Sequence, residues 1–227
     1  MNNFIELNNL SKNYTSQKRI NVLKNINYKF KNGKIYSLVG PSGSGKSTLL
    51  NIISLIDRPS NGSLMLDNKK VDFNNIDEND KLRSKYFGII YQEKNLLYDF
   101  NAEENIILAG IANGKSTNHS FKLTDKILKK LKLKKRSKHF PSQLSGGENQ
   151  RIAIARALIN SPNIIIADEP SGNLDQKNAK EFFKLLFNLK SKNRIIIYAT
   201  HNRYFANLAD CRLQLINGKL KSINARK

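Results

Sequence analysis

Several residue types that particular fold classes depend on are scarce in this sequence. It contains no tryptophan, one cysteine, five prolines and 12 glycines in 227 residues. A single cysteine excludes an intramolecular disulfide framework, and so little proline and glycine excludes collagen-like and low-complexity chains. Hydrophobic residues make up 39% of the chain, which is enough for a sizeable core. The length fits one domain, or one domain with an inserted lobe.

Long apolar runs are also missing. No stretch approaches the roughly 18 consecutive apolar residues of a membrane-spanning helix. The first ten residues, MNNFIELNNL, lack the basic and apolar regions of a secretory signal peptide. A single cysteine also fits a reducing compartment. We therefore expect a soluble protein in the cytoplasm.

Acidic residues are outnumbered: 39 Lys and Arg face 18 Asp and Glu, which gives a net charge of +21. Nucleic acid, anionic lipid headgroups and a phosphate-rich ligand all suit such a charge. The excess is spread along the chain as isolated lysines among asparagines, with one dense run at Lys129–Lys138. Compositional bias and a functional basic surface both remain open, so charge alone selects no partner.

Strand-like and helical segments alternate along most of the chain, which predicts a parallel sheet covered by helices. Short, mostly apolar runs predict central strands buried on both faces at Ile35–Val39, Ile164–Ala167 and Ile195–Ala199. Helical periodicity with lysine-rich loops then predicts an inserted helical lobe between Gln92 and about Ser145.

The early chain has a different pattern. Short strands at Ile5–Leu7, Tyr28–Phe30 and Ser63–Leu66 lie near the predicted turns Asn32-Gly33 and Asn61-Gly62. This pattern predicts an antiparallel layer beside the main sheet. The tail LQLINGKLKSI predicts a hairpin around its own Asn-Gly pair.

A phosphate-binding loop follows the first central strand. The segment GPSGSGKS matches GxxxxGK[ST], directly after IYSLV and directly before the helical STLLNIISLI. Backbone N–H groups and the helix N-terminus donate to phosphates, Lys46 reaches the β- and γ-phosphate oxygens, and Ser47 offers a hydroxyl to Mg²⁺. The predicted ATP-binding residues here are Gly40, Pro41, Ser42, Gly43, Ser44, Gly45, Lys46, Ser47 and Thr48.

Two adjacent carboxylates end the strand IIIA. A carboxylate beside a phosphate loop binds Mg²⁺, and a second one polarises water for attack on the γ-phosphate. We predict the metal role for Asp168 and the catalytic water role for Glu169.

A second anion site precedes another helix, at LSGGE. Ser145, the amides of Gly146 and Gly147, and Glu148 at the helix N-terminus form this predicted site. One nucleotide cannot easily use both phosphate sites within one subunit. The sequence therefore predicts a homodimer that pairs head to tail with ATP between its subunits.

With these motifs the chain resembles the ATP-binding subunits of ABC transporters, whose signature is LSGGQ or LSGGE. The resemblance covers nearly the whole chain. It implies an α/β fold: a P-loop NTPase with a RecA-like core, an antiparallel β subdomain and an inserted α-helical subdomain. The implied single domain spans 1–227, with the core and β subdomain at 1–91 and 150–227 and the helical subdomain at 92–149.

The resemblance also implies further site residues. Tyr14 stacks on adenine, Gln92 senses Mg²⁺ and contacts the membrane partner, and Asp175, at the end of SGNLD, crosses the dimer interface. His201 contacts the γ-phosphate and joins Lys46 and Glu169 as a catalytic residue.

Two positions depart from the family pattern. Asn149 follows the signature where glutamine or arginine is usual, and Asn202 follows His201 where aspartate is usual. Neither replaces a phosphate, metal or water ligand, so hydrolysis is still expected. The second departure leaves open how His201 is braced.

Residues around the motifs indicate the branch of the family. EPSGNLD resembles a group that contains lipoprotein-releasing, macrolide-export and cell-division ATPases, and the segment from Tyr91 to Phe100 is most similar to the lipoprotein-releasing members. This resemblance implies a peripheral ATPase on the cytoplasmic face of the inner membrane, with integral permease subunits and a lipoprotein substrate. Macrolide or peptide export and cell division remain alternatives. No coiled coil or tandem domain supports the more distant alternative, a nucleic-acid partner.

Overall fold

The computed structural model describes residues 3–15, 19–92 and 95–223. Its strands are β1 (Asn3–Thr15), β2 (Arg19–Lys31), β3 (Ile35–Val39), β4 (Asn61–Leu66), β5 (Lys69–Lys70), β6 (Phe87–Ile90), β7 (Ile164–Asp168), β8 (Ile195–Ala199), β9 (Cys211–Ile216) and β10 (Lys219–Ile223). Its helices are α1 (Lys46–Ile53), α2 (Ile76–Tyr86), α3 (Ala102–Ile111), α4 (Thr117–Lys130), α5 (Gly146–Leu158), α6 (Gln176–Phe187) and α7 (Arg203–Ala206). Short 3-10 turns lie at Lys134–Arg136 and Pro141–Gln143.

The chain forms two compact units. The first contains residues 1–83 and 190–227, and the second contains residues 84–189, so the division falls within α2. The second unit extends on both sides of the predicted helical subdomain, because it also includes β6, β7 and α6. The predicted boundaries at 91/92 and 149/150 therefore stay a prediction about subdomains.

Two sets of strands build the first unit. The antiparallel set has the order β2-β1-β4-β5. In the other set β3 is parallel to both β8 and β9, and β10 pairs antiparallel with β9 through a turn at Asn217-Gly218. The predicted antiparallel layer, the strands at 35–39 and 195–199 and the final hairpin are confirmed. All five residues of β8 are buried, as expected of a strand covered on both faces.

One predicted turn is wrong. Asn61-Gly62 begins β4, whereas Asn32-Gly33 is a turn as expected. A Cβ on Gly62 would lie 2.4 Å from the Asn9 carbonyl oxygen, at a register shift between β1 and β4. The glycine allows two strands to approach closely at a bulge, a role that an Asn-Gly pair does not reveal by sequence alone.

The second unit pairs β6 with β7 in parallel and contains α3, α4 and α5. Asn101 caps α3 in a reciprocal arrangement with Glu104, and Ser116 caps α4. The stretch Ile152–Ala155 of α5 has no exposed surface. Close packing with β6 leaves no room at Gly88, whose added Cβ would lie 2.4 Å from the Ala157 carbonyl oxygen. This packing fixes α5, and with it the LSGGE segment at its start.

Within 3–15, 19–92 and 95–223, no helix combines the length and hydrophobicity needed to cross a bilayer.

Truncation of Ile154 tests the core that holds α5. Ile154 is fully buried, so Ile154→Ala should lower the free energy of unfolding by about 3 kcal/mol through lost apolar burial and a residual cavity. Urea denaturation followed by circular dichroism measures the change. Ile76→Ala is the matched control because Ile76 is 71% exposed, and we expect it to cost under about 0.5 kcal/mol. Equal losses for the two variants would contradict the packing described for α5.

Candidate functional site

The predicted phosphate loop connects β3 to α1. Gly43 and Gly45 adopt positive φ angles of 73° and 98°, in the left-handed region that favours glycine. A Cβ on Gly40 would lie 2.3 Å from the Leu215 carbonyl oxygen of β9. Glycine is therefore required both for the path of the loop and for its close approach to the neighbouring strand.

The N-terminus of α1 has the features of an anion site. Gly45 precedes the helix without a side-chain cap, and the first turn contains no acidic residue. Ser44 Oγ is buried and has no hydrogen-bond partner among the described residues. Lys46 Nζ donates to the carbonyl oxygens of Gly40 and Pro41 at 3.0 and 3.1 Å, which keeps the ammonium over the loop. These groups fit a phosphate chain, which accepts hydrogen bonds from amides, hydroxyls and ammonium groups.

His201 lies beside this loop. It follows β8 by two positions, is exposed, and shares with Gly40 and Pro41 a cleft of about 740 Å³. The preceding residue, Thr200, is held by its amide, which donates to the Leu38 carbonyl oxygen of β3 at 3.1 Å. The structure thus brings His201, which is predicted to contact the γ-phosphate, and the start of the phosphate loop to one cleft.

Asn202, one of the two departures from the family pattern, caps a helix. Its Oδ1 accepts hydrogen bonds from the amides of Tyr204 and Phe205, and its own amide donates to Thr200 Oγ1 at 3.1 Å. An aspartate oxygen would do the same, so asparagine preserves the start of α7. The segment that carries His201 is thereby anchored on its C-terminal side.

Sequence reasoning missed two arginines at the same cleft. Arg203 and Arg212 both line it, and an Arg212 guanidinium nitrogen donates to the Asn207 side chain. Two guanidinium groups near a phosphate loop favour an anionic ligand. In the sequence, only the position of Arg203, two residues after His201, could have indicated that it lies near this cleft.

Tyr14 lies near the end of β1 in the first unit. Its ring is 45% exposed, and its hydroxyl donates to Asp57 Oδ2 at 2.9 Å. Burial raises the pKa of Tyr14, the hydrogen bond to Asp57 raises it further, and a hydrogen bond with the Thr48 hydroxyl lowers it. The phenol is therefore neutral at physiological pH, with an accessible aromatic surface.

The predicted catalytic carboxylates lie in the second unit. Asp168 ends β7 and Glu169 follows, both half-buried. Glu169 has a φ of 44°, which is uncommon for a residue other than glycine. The Gly172 amide donates to the Glu169 carbonyl oxygen at 3.0 Å and closes a turn. Non-glycine residues in this conformation cluster at functional sites, which fits the water-activating role predicted for Glu169.

Gln92 lies beside the same turn. It follows β6 by two positions and is exposed, and a Cβ on Gly172 would lie 3.1 Å from its Nε2. Gln92 and the segment after Glu169 therefore adjoin each other within the second unit. This contact fits the Mg²⁺-sensing role predicted for Gln92.

The signature segment starts α5 with a capping box. Ser145 Oγ accepts from the Glu148 amide at 3.2 Å, and the Ser145 amide donates to Glu148 Oε2 at 2.9 Å. Arg136, from the basic run, donates from Nε to Glu148 Oε1 at 2.8 Å. Sequence reasoning missed this arginine. Both oxygens of the Glu148 carboxylate thus accept hydrogen bonds from residues of the second unit. Ser145 and Gly146 are exposed.

A second contact links the signature to the segment that ends in Asp175. Asp175 caps α6, accepts from the amides of Lys177 and Asn178, and also accepts from the Asn178 side chain. A Cβ on Gly147 would lie 2.7 Å from Asn178 Oδ1. Asn178, which sequence reasoning also missed, therefore lies between Gly147 and Asp175.

Asn149, the other departure, holds the turn before the signature. Its Nδ2 donates to the carbonyl oxygens of Pro141 and Leu144 at 2.9 and 3.3 Å. The amide side chain thus has a local structural use in this chain.

The predicted site residues divide between the two units. Tyr14, the phosphate loop and His201 belong to the first unit, whereas Gln92, the signature, Asp168, Glu169 and Asp175 belong to the second. Among the residues described, no group of three His, Cys, Asp or Glu side chains is placed to hold a metal ion. Mg²⁺ at nucleotide sites takes much of its coordination from phosphates and water, so one carboxylate and one hydroxyl fit that ion.

Comparison with known proteins identifies the family. Residues 23–172 match the family model described as ABC transporter. The chain belongs to the ABC transporter family. Its fold is that of an ABC ATPase, which binds and hydrolyses ATP.

Curated relatives of this ABC ATPase match over nearly their whole length. The lipoprotein-releasing system ATP-binding protein LolD of Wigglesworthia glossinidia brevipalpis is 42% identical, over 99% of this chain and 100% of the relative. The protein of the same name from Rickettsia bellii is 41% identical, over 96% of this chain and 98% of the relative.

Solved structures agree with the fold of this ABC ATPase. A dimeric structure of MJ0796, a bacterial ABC transporter cassette, has a TM-score of 0.88 and 37% identity, covering 98% of this chain and 99% of that one. The dimeric post-hydrolysis structure of MJ0796 with ADP and Pi has a TM-score of 0.89 and 36% identity, with the same coverage.

The capping box of the signature gives the ABC ATPase a pH-dependent stability. The Ser145 amide, and after it Arg136, hold the pKa of Glu148 below its ordinary value of 4.5, against burial that raises it. The stabilisation is complete above that value and is lost as pH falls through the lower folded-state pKa. Glu148→Gln should therefore unfold more easily than the parent at pH 7, and this difference should shrink below pH 4.5.

Urea denaturation at a series of pH values measures this effect. Glu181→Gln is the charge-matched control, since Glu181 is exposed in the same unit. A Glu148→Gln deficit that stays constant across the acid range would contradict the ionic role of this carboxylate.

Proposed function

We propose that this chain is the ATPase subunit of a complex that releases lipoproteins from the inner membrane for transfer to the outer membrane. The observation that carries the proposal is the set of curated relatives. Those of Wigglesworthia, Rickettsia and Ehrlichia, 41 to 44% identical over 95 to 99% of this chain, are all named for a lipoprotein-releasing system. The segment Tyr91–Phe100 supports the same branch.

ATP would lie between two copies of the chain. The phosphate loop of one copy would bind the phosphates, and Ser145, Gly146 and Gly147 of the other would contact them from the opposite side. Two observations support this arrangement. Ser145 and Gly146 are exposed at a helix N-terminus, and the similar cassette MJ0796 is dimeric in its structures. Asp175 is exposed and would lie at the dimer interface.

Mg²⁺ would accompany the nucleotide. Ser47, Gln92 and Asp168 are the proposed ligands because each carries an oxygen of the kind that Mg²⁺ prefers. The ion supplies charge neutralisation on the β- and γ-phosphate oxygens.

Hydrolysis would depend on positioning and charge stabilisation by a few side chains. Lys46 would neutralise charge on the β- and γ-phosphates, Glu169 would orient and polarise the attacking water, and His201 would contact the γ-phosphate. The ammonium of Lys46 is already held over the phosphate loop. Tyr14 would stack on the adenine through its exposed ring.

An apolar tip near Gln92 suits a membrane subunit. Leu97, Tyr98 and Phe100 are 49, 74 and 38% exposed. The buried side chain of Asn105 holds their backbone: it accepts from the Leu97 amide at 2.8 Å and donates to the carbonyl oxygens of Leu97 and Phe100 at 3.0 and 2.8 Å. Exposed apolar groups on a fixed backbone are typical of a docking surface. The proposed partner is an integral permease subunit, which would keep the chain at the cytoplasmic face of the inner membrane.

Substitution of Glu169 tests the catalytic role. Glu169→Gln should bind ATP with unchanged affinity, slow its hydrolysis by about 100-fold or more, and accumulate as a closed dimer with ATP. Steady-state phosphate release, equilibrium ATP binding and size-exclusion chromatography measure the three quantities. Lys46→Ala is the contrasting variant and should lose ATP binding itself. Near-normal turnover of Glu169→Gln would remove Glu169 from this role.

A pull-down tests the cargo and the partner. Glu169→Gln with Mg-ATP should recover a lipoprotein-releasing permease pair and bound lipoprotein from detergent-solubilised membranes. Tyr98→Asp in that background should reduce recovery at least about tenfold, because a charge enters an apolar contact. Phe121→Asp is the matched control, since Phe121 is a 45% exposed aromatic residue of the same unit. Recovery of a single export permease with a periplasmic adaptor would move the function to efflux.

A further inference from the structure

The ring of Tyr14 is held by two charged neighbours that the proposed mechanism does not use. Its hydroxyl donates to Asp57 Oδ2 at 2.9 Å, and Lys12 Nζ donates to Asp57 Oδ1 at 2.7 Å. Lys12 Nζ also lies 4.8 Å from the centre of the Tyr14 ring and donates to the Arg58 carbonyl oxygen at 2.8 Å. Tyr14, Asp57 and Lys12 therefore form a closed set of three mutual contacts.

The charges in this set are fixed in position. Lys12 is only 8% exposed, and a nearly buried ammonium group is stable only when it is paired. Burial raises the pKa of Asp57, but the hydrogen bonds from Lys12 and Tyr14 together lower it by more. The pKa of Asp57 therefore lies below its ordinary value. The carboxylate is thus ionised at neutral pH and keeps both of its partners.

The same ring is connected to the phosphate-loop helix. The Asp57 amide donates to the Asn51 carbonyl oxygen of α1 at 3.2 Å, and Asp57 Oδ2 accepts from the Tyr14 hydroxyl. The ring and the phosphate loop therefore keep a defined spacing within the first unit.

We infer that Lys12 and Asp57 are positioning residues that hold the Tyr14 ring for the base of the bound nucleotide. The inference rests on the stacking of adenine on Tyr14 proposed above. The ammonium of Lys12 lies over one face of the ring, so a flat base stacks on the opposite face. A ring fixed in advance loses less rotamer entropy when the base arrives, and the nucleotide binds more tightly.

Separate binding of the base and the phosphates tests this inference. Lys12→Met and Asp57→Asn should each bind the non-hydrolysable analogue AMP-PNP about five- to tenfold more weakly, because one hydrogen bond or cation–π contact to the ring is lost. Inorganic tripolyphosphate, which has no base, should bind within about twofold of the parent affinity. Isothermal titration calorimetry measures both ligands on the full chain.

Lys29→Met is the matched control. Lys29 pairs with Glu6 at 2.9 Å on the same antiparallel sheet and is 56% exposed. The Lys29→Met substitution removes the same charge without changing a contact of Tyr14, so affinity for both ligands should stay unchanged. If Lys12→Met or Asp57→Asn weakens tripolyphosphate as much as AMP-PNP, their role is structural or electrostatic and the inference is overturned.

Tyr14→Ala separates this inference from the proposal beneath it. If Tyr14→Ala weakens AMP-PNP alone while Lys12→Met and Asp57→Asn do not, the stacking stands and the positioning role fails. If Tyr14→Ala leaves AMP-PNP affinity unchanged, the stacking itself fails. The double variant Tyr14→Phe with Asp57→Asn should lose less than the sum of its single losses, because both changes remove the same hydrogen bond.

Discussion

The close approach of the phosphate loop to β9 is the constraint on which the start of α1, and with it the predicted phosphate site, depends. No side chain caps the amides at the start of α1, and a free helix N-terminus is stabilised by an anion. The loop before them can approach β9 as closely as it does only because Gly40 has no side chain. The parallel pairing of β3 with β8 and β9 fixes that approach, since it places Leu215 and Thr200 on either side of the loop. The register of the sheet thus fixes the backbone of the loop that we propose for phosphate binding.

The two helices that meet phosphate in the proposed dimer begin differently. At α1 the first-turn amides have no acceptor from a side chain, which suits a ligand of high negative charge. At α5 the Ser145 and Glu148 side chains already satisfy part of the N-terminus, and Arg136 balances the added carboxylate. Such a terminus keeps its shape without a ligand. It therefore suits a surface that must remain ordered while the two copies are apart.

Local patterns predicted the strands, the phosphate loop and the carboxylate pair, because buried strands and glycine-rich loops leave contiguous signals. The contacts that position the site residues left no such signal in the sequence. Asp57 lies 45 residues from Lys12, and Arg136 lies 12 residues from Glu148, so only the fold reveals these pairs. Gly62 shows the converse limit: its Asn-Gly pair predicts a turn, yet the bulge against Asn9 places it inside a strand. Which residues surround a motif could be predicted less well than the motif itself.

The backbone conformation at Glu169 limits which side chains fit this position. Its left-handed conformation is adopted more easily by asparagine, aspartate or glycine, and it costs other residues about 1 kcal/mol. Aspartate would keep the negative charge and relieve part of that cost, but its carboxylate is one methylene shorter. Glutamate at this position therefore carries its carboxylate one methylene further from the main chain than aspartate would, and the backbone strain accompanies that longer reach.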